Sequence, residues 1–172
     1  MKNIKIKTLK KIAMVLVVLL MLGVGVNYIF LTTHISPDEV ASIYVYHTEN
    51  GVRVREYSID FTDKKLYTFE STTGNNRDIG QNNINDGYQG VIALTDEQID
   101  DFISGANSCA FFNWKLKYVD ESITDTSGMP QWGVEIKYTN SGMSKTLGIN
   151  EYPSTYDKMK NVAVKTLGVD IF

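Results

Sequence analysis

Ser42–Phe61 reads SIYVYHTENGVRVREYSIDF, and this stretch decides the fold. Ser42–Thr48 is rich in β-branched and aromatic residues, which suit a pleated, half-buried surface. Glu49-Asn50-Gly51 follows. Asn-Gly is the pair that a two-residue hairpin favours, because both central residues take positive φ. Val52–Phe61 sets Val52, Val54, Tyr57, Ile59 and Phe61 against Arg53, Arg55, Ser58 and Asp60. A period of two marks a strand, and its slip by one at Glu56-Tyr57 predicts a bulge there. Thr62–Lys65 turns the chain and Leu66–Ser71 supplies a third strand. Residues 42–71 therefore predict a three-stranded antiparallel meander.

Beyond it, Thr72–Gly90 is rich in glycine and asparagine and has almost no apolar periodicity, so it reads as a long loop of the kind that carries function or moves. Gly90–Leu94 returns to a short strand. Thr95 is an N-cap with Gln98 at the capping-box position. Ile99, Phe102, Ile103 and Ala106 then recur at helical spacing, and Gly105 and Asn107 suit the helix end. Phe111-Phe112-Asn113-Trp114 is an aromatic cluster that anchors the helix exit. Lys115–Val119 reads as extended and Asp120–Pro130 as a polar loop. Trp132–Thr139 alternates as a strand with Trp132, Val134, Ile136 and Tyr138 inward. It turns at Asn140-Ser141-Gly142 and pairs back through Met143–Ile149. A final helix starts from an N-cap at Ser154, with Met159, Val162, Ala163 and Leu167 as its stripe and Gly168 past its end. Val169–Phe172 tucks back. Hairpin-linked strands with two one-faced helices predict an α+β domain: a mostly antiparallel sheet with both helices packed on one face.

The second half resembles an exported or membrane-anchored bacterial family of domains of unknown function. The resemblance rests on Leu94-Thr95 before an acidic helix, the Phe111-Phe112…Trp114 cluster and the Trp132–Tyr138 strand with its lysine-bearing return. It ends with Pro153 and the closing Leu167-Gly168, and covers about 90–172. It implies fold and location and brings no catalytic residue.

Location is also written at the start. Ile12–Leu31, IAMVLVVLLMLGVGVNYIFL, carries no charge. Twenty residues at about 1.5 Å each make a helix of roughly 30 Å, the hydrocarbon thickness. Lys2, Lys5, Lys7, Lys10 and Lys11 precede it, and the next basic residue is Arg53. By the positive-inside rule residues 1–11 are cytoplasmic, 12–31 form a transmembrane anchor, 32–41 a short linker that includes the helix-start signal Ser36-Pro37-Asp38-Glu39, and 42–172 an extracytoplasmic domain. Gly23 and Gly25 leave secretion after signal-peptide cleavage as the alternative.

Past the anchor, twelve basic residues meet all twenty acidic ones, a net charge of −8. That excess disfavours nucleic acid and anionic lipid surfaces as partners. Cys109 is alone, so no intramolecular disulfide forms, and its apolar setting reads as a small buried hydrophobe. His34 and His47 lie on separate elements, read as ordinary surface or edge residues, and form no zinc motif. Asp96/Glu97 and Asp100/Asp101 share the cap and polar face of one helix rather than two walls of a cleft. Asp78, Asn82, Asn83, Asn85 and Asp86, with Asp120…Asp125, are oxygen-rich but lack the calcium-loop pattern. No catalytic, cofactor-binding or metal residue is assigned. The expected partners are the bilayer through Ile12–Leu31 and an unidentified envelope protein or ligand, met by the 72–90 or 120–130 loop. The function expected is a membrane-tethered binding or accessory module. The alternatives are a cell-envelope hydrolase whose acids assemble only in the fold and a structural subunit of a membrane complex.

Overall fold

The computed structural model describes residues 34–70, 90–120, 122–126 and 128–172. The expected Ile12–Leu31 anchor and nearly all of the expected 72–90 loop fall outside the described residues. Among the described residues no helix is long and apolar enough to cross a membrane.

The meander forms as its pattern demands. β1 (Val40–Glu49), β2 (Val52–Asp60) and β3 (Lys65–Glu70) pair antiparallel in sequence. Asn50 and Gly51 take φ of 51° and 75°, the positive pair that Asn-Gly tolerates. The bulge sits earlier than expected. His47 faces Arg55 and Thr48 faces Arg53, so Val54 is the extra residue. The slip at Glu56-Tyr57 has a different cause: Glu56, Tyr57, Ser58 and Ile59 are all buried, two on each face of the sheet.

β4 (Gly90–Ala93) joins β3. α1 (Asp96–Ser108) follows, then β5 (Lys117–Val119), β6 (Gln131–Tyr138), β7 (Met143–Ile149) and α2 (Tyr156–Leu167). Among the described residues seven strands form one sheet in the order β4-β3-β2-β1-β6-β7-β5. β5 runs parallel to β7 and the other pairs are antiparallel. The fold is α+β, as the pattern of elements predicts.

Each helix is set by local chemistry. The Thr95 Oγ1 accepts the Gln98 N–H at 3.2 Å, and the Gln98 Oε1 accepts the Thr95 N–H at 3.0 Å, which closes the capping box. Ile99, Phe102, Ile103 and Ala106 are buried. Gly105 lies within the helix rather than at its end. A Cβ there would stand 2.5 Å from Val162 Cγ1, so glycine lets α1 and α2 approach closely. α2 takes Thr155, not Ser154, as its N-cap, and closes at Gly168 with φ of 74°.

Ile136, Ile43, Ile59 and Leu66 stand in register across β6, β1, β2 and β3. They share one core with Phe102, Ile103, Met159 and Ala163 of the helices and with the returning tail residues Ile171 and Phe172. Each such fully buried side chain contributes about 1.5–3 kcal/mol from apolar transfer.

Residues 35–41, expected as linker, are held by this unit, which spans Ile35–Phe172. Ser36 caps the 3₁₀ turn Pro37–Glu39, and Val40 opens β1 fully buried. Asn107, in the last turn of α1, donates from Nδ2 to the Ile35 carbonyl at 2.6 Å and accepts the Ile35 N–H at 2.9 Å. An amide side chain can satisfy both backbone groups of one residue because it carries donor and acceptor together.

Candidate functional site

Cys109 is buried, as its apolar setting predicts. His34 is exposed. Asp96 forms an exposed ion pair with Lys64 at 2.6 Å, and Glu97, Asp100 and Asp101 face solvent. The Asp120 carboxylate accepts the backbone N–H and the hydroxyl of Ser122, and those bonds hold it below the usual carboxylate range. Asp78, Asn82, Asn83, Asn85 and Asp86 lie outside the described residues. Among the described residues no three of His, Cys, Asp and Glu gather to hold a metal.

The structure instead brings together residues that no motif or spacing joins. They line a cleft of about 330 Å³ at one end of the helix-bearing face of the sheet. Arg55 and His47 stand opposite each other on β2 and β1, and Trp132 stands next to His47 on β6. The far wall comes from the end of the chain: Tyr152 and Pro153 from the β7–α2 connector, Tyr156, Asp157 and Lys160 from α2, and Phe172.

Trp132 builds that wall. Its indole lies against Gly148, its partner across β6 and β7, where any Cβ would collide with Nε1. Its Nε1 donates to the Glu151 carbonyl at 2.9 Å. Tyr152 stacks on it with an interplanar angle of 8° and 5.8 Å between centroids. Tyr156 packs against both Trp132 and Tyr152, at 5.2 and 4.5 Å. Trp114 donates to the Thr155 hydroxyl at 3.0 Å and so fixes the start of α2. These ring contacts, one stacked and two tilted, add to simple burial. The clamp leaves Tyr152 48% exposed, a half-open platform on a rigid base.

The electrostatics follow from what surrounds each group. Lys160 is paired with Asp170 at 2.7 Å. His47 donates from Nε2 to the Ile171 carbonyl at 3.3 Å. Burial holds His47 below its ordinary value, and nearby Arg55 adds to the depression, so the ring is neutral at pH 7. Burial lifts the Tyr156 phenol well above its ordinary value, with Tyr152 reinforcing the shift, so it stays a neutral donor. Among the described residues Arg55 has no ion pair.

A second polar group occupies the opposite face of the sheet. Glu56 is 1% exposed. Its Oε2 accepts the Tyr44 hydroxyl at 2.6 Å, and the Tyr44 oxygen accepts from Arg53 Nη1 at 2.9 Å. The Arg53 guanidinium lies 4.6 Å from the centre of the Tyr46 ring, which itself covers Gly133. Among the described residues Glu56 Oε1 has no hydrogen-bond partner. This group braces β1 against β2 and borders no described cavity.

No protein-family model matches this chain, and neither characterised proteins nor solved structures include a match to it.

Proposed function

We propose that this chain is a single-pass membrane protein, anchored through Ile12–Leu31 with its N-terminus in the cytoplasm, whose α+β domain is a binding module outside. The cleft carries the binding half of this reading. It combines a half-exposed tyrosine platform, a neutral phenol and an arginine with no ion pair among the described residues, which is the mix of flat apolar surface and few placed polar groups that small-ligand sites use. Hydrolysis by paired acids draws no support from it, since Asp157 is the one acidic side chain among the described lining residues. The anchor half rests on the uncharged run behind five lysines.

Two measurements test the halves separately. Protease added to intact spheroplasts is expected to digest the domain, and a protected domain overturns the topology. Small molecules extracted from the cell envelope are expected to raise the melting temperature of the full chain, as any ligand of the native state must. The rise should vanish in Arg55→Met. No rise in the wild type overturns the binding reading.

A further inference from the structure

We infer that the cleft recognises a small monoanion with a flat ring, a ring carboxylate, with Arg55 as its anion anchor and Tyr152 as its stacking platform; this rests on the binding-module reading above. The charge inventory selects one negative charge. Lys160 is neutralised by Asp170, His47 is uncharged, and Asp157 contributes a negative charge to the same wall. Arg55 is then the one cation left for a ligand among the described lining residues. A second negative charge, as on a phosphate monoester, would meet Asp157 with no further unpaired cation among the described lining residues to offset it.

The shape of the charge selects a carboxylate. A guanidinium presents two parallel N–H donors that match the two oxygens of a carboxylate, and such charge-assisted pairs are about twice as strong as neutral ones. Arg55 is half-buried, stands on a central strand beside His47 and lines the cleft. The ring is selected by the platform. Tyr152 is backed by Trp132, flanked by Tyr156, and still half-exposed. A volume of about 330 Å³ lies at the small end of ligand sites, about 300–1,000 Å³, and suits one ring and its substituent.

The test uses the full chain in non-ionic detergent and three probes of one shape: phenylacetate, its neutral amide phenylacetamide, and phenyl phosphate. Calorimetric titration is expected to rank phenylacetate first, with phenylacetamide weaker by about tenfold or more, the worth of one charge-assisted pair. Arg55→Met should abolish the preference for the anion, and Arg55→Lys should keep part of it, because the charge remains and the fork is lost. Melting curves of both variants show whether they fold as the wild type does. Equal affinity for phenylacetate and phenylacetamide overturns the anion anchor, and tighter binding of phenyl phosphate overturns the monoanion. If none of the three binds while the envelope extract still stabilises the chain, the ligand class is wrong and the binding reading stands. If neither has an effect, both fall.

Discussion

Gly148→Ala probes the contact on which the cleft wall depends. Gly148 stands opposite Trp132 across β6 and β7, and an added methyl would overlap the indole at Nε1 and Cε2. The ring has little room to withdraw, being 1% exposed and wedged between Trp114, Tyr152 and Tyr156. Overpacking of this kind costs about 1–3 kcal/mol. Breaking the bond from Trp132 to the Glu151 carbonyl adds about 1 kcal/mol. Replacing glycine in a strand returns about 0.5–1 kcal/mol of chain entropy. The balance is a loss of about 2 kcal/mol. With a urea slope of about 2 kcal/mol per molar, the midpoint should fall by about 1 M. Urea melts of the full chain followed by far-UV circular dichroism measure this. Trp132→Leu removes the obstructing ring, so Gly148→Ala on that background should cost little, a coupling of about 1 kcal/mol or more. An unchanged midpoint, or the same loss on both backgrounds, would refute the reasoning.

Asn107→Ala removes both side-chain bonds to the Ile35 backbone and leaves a buried residue with two unpaired polar groups. A loss of about 2 kcal/mol is expected, with faster proteolytic cleavage within 35–40, and an unchanged cleavage rate counts against the tie. His47 gives stability a pH dependence. Its folded-state value lies below the ordinary 6.5, so the unfolded chain takes up a proton first as pH falls. The contribution of neutral His47 is complete above 6.5 and is lost as pH drops from there towards the folded value. Asp170 opposes this shift while Arg55 and Lys160 deepen it. His47→Gln should flatten that part of the stability profile, and a wild-type slope that survives the substitution would exclude His47 as its source.

Most of the fold was legible because its signals are local. Asn50-Gly51 is enough to set a hairpin, and Thr95 with Gln98 is enough to start a helix at a stated residue. Trp132–Tyr138 and Met143–Ile149 alternate around one turn and pair as their pattern requires. The misses concern forces that local pattern does not carry. Gly105 looked like a helix end because glycine weakens helices, yet Val162, 57 positions on, requires its missing Cβ. Lys117–Val119 was legible as extended but not as parallel to β7, since its partner is fixed by tertiary packing. Residues 35–41 read as linker because the two bonds from Asn107 span 72 positions. The cleft was least legible of all. Its one sequence signal was parity. His47 alternates with Ile43 and Val45, and Arg55, once the bulge is moved to Val54, alternates with Tyr57 and Ile59. Two polar residues thus continue the core-facing rows to their end, where the aromatic wall replaces the core.

That parity also explains why recognition and stability are carried by adjoining but separate residues. The core-facing rows of β1 and β2 are apolar from Ile43 and Ile59 to Val45 and Tyr57, and become polar one step later at His47 and Arg55. At that step the cover comes from the first turns of the last helix and the C-terminal segment, through Tyr156, Lys160, Ile171 and Phe172. A cationic arginine on a buried row is costly unless its head reaches water or an anion. Arg55 is half-buried and has no ion pair among the described residues, so the cleft it lines is what gives its charge an outlet, and an anion there would improve its position. Trp132, Gly148 and Tyr156 are the opposite case, since their substitution disturbs the wall whether or not a ligand exists. A substitution at Trp132 that lowers both stability and binding therefore identifies nothing. Arg55→Met replaces the charge with an apolar chain of similar reach, so a variant that loses anion preference while keeping or gaining stability is the outcome that separates a ligand anchor from a structural residue.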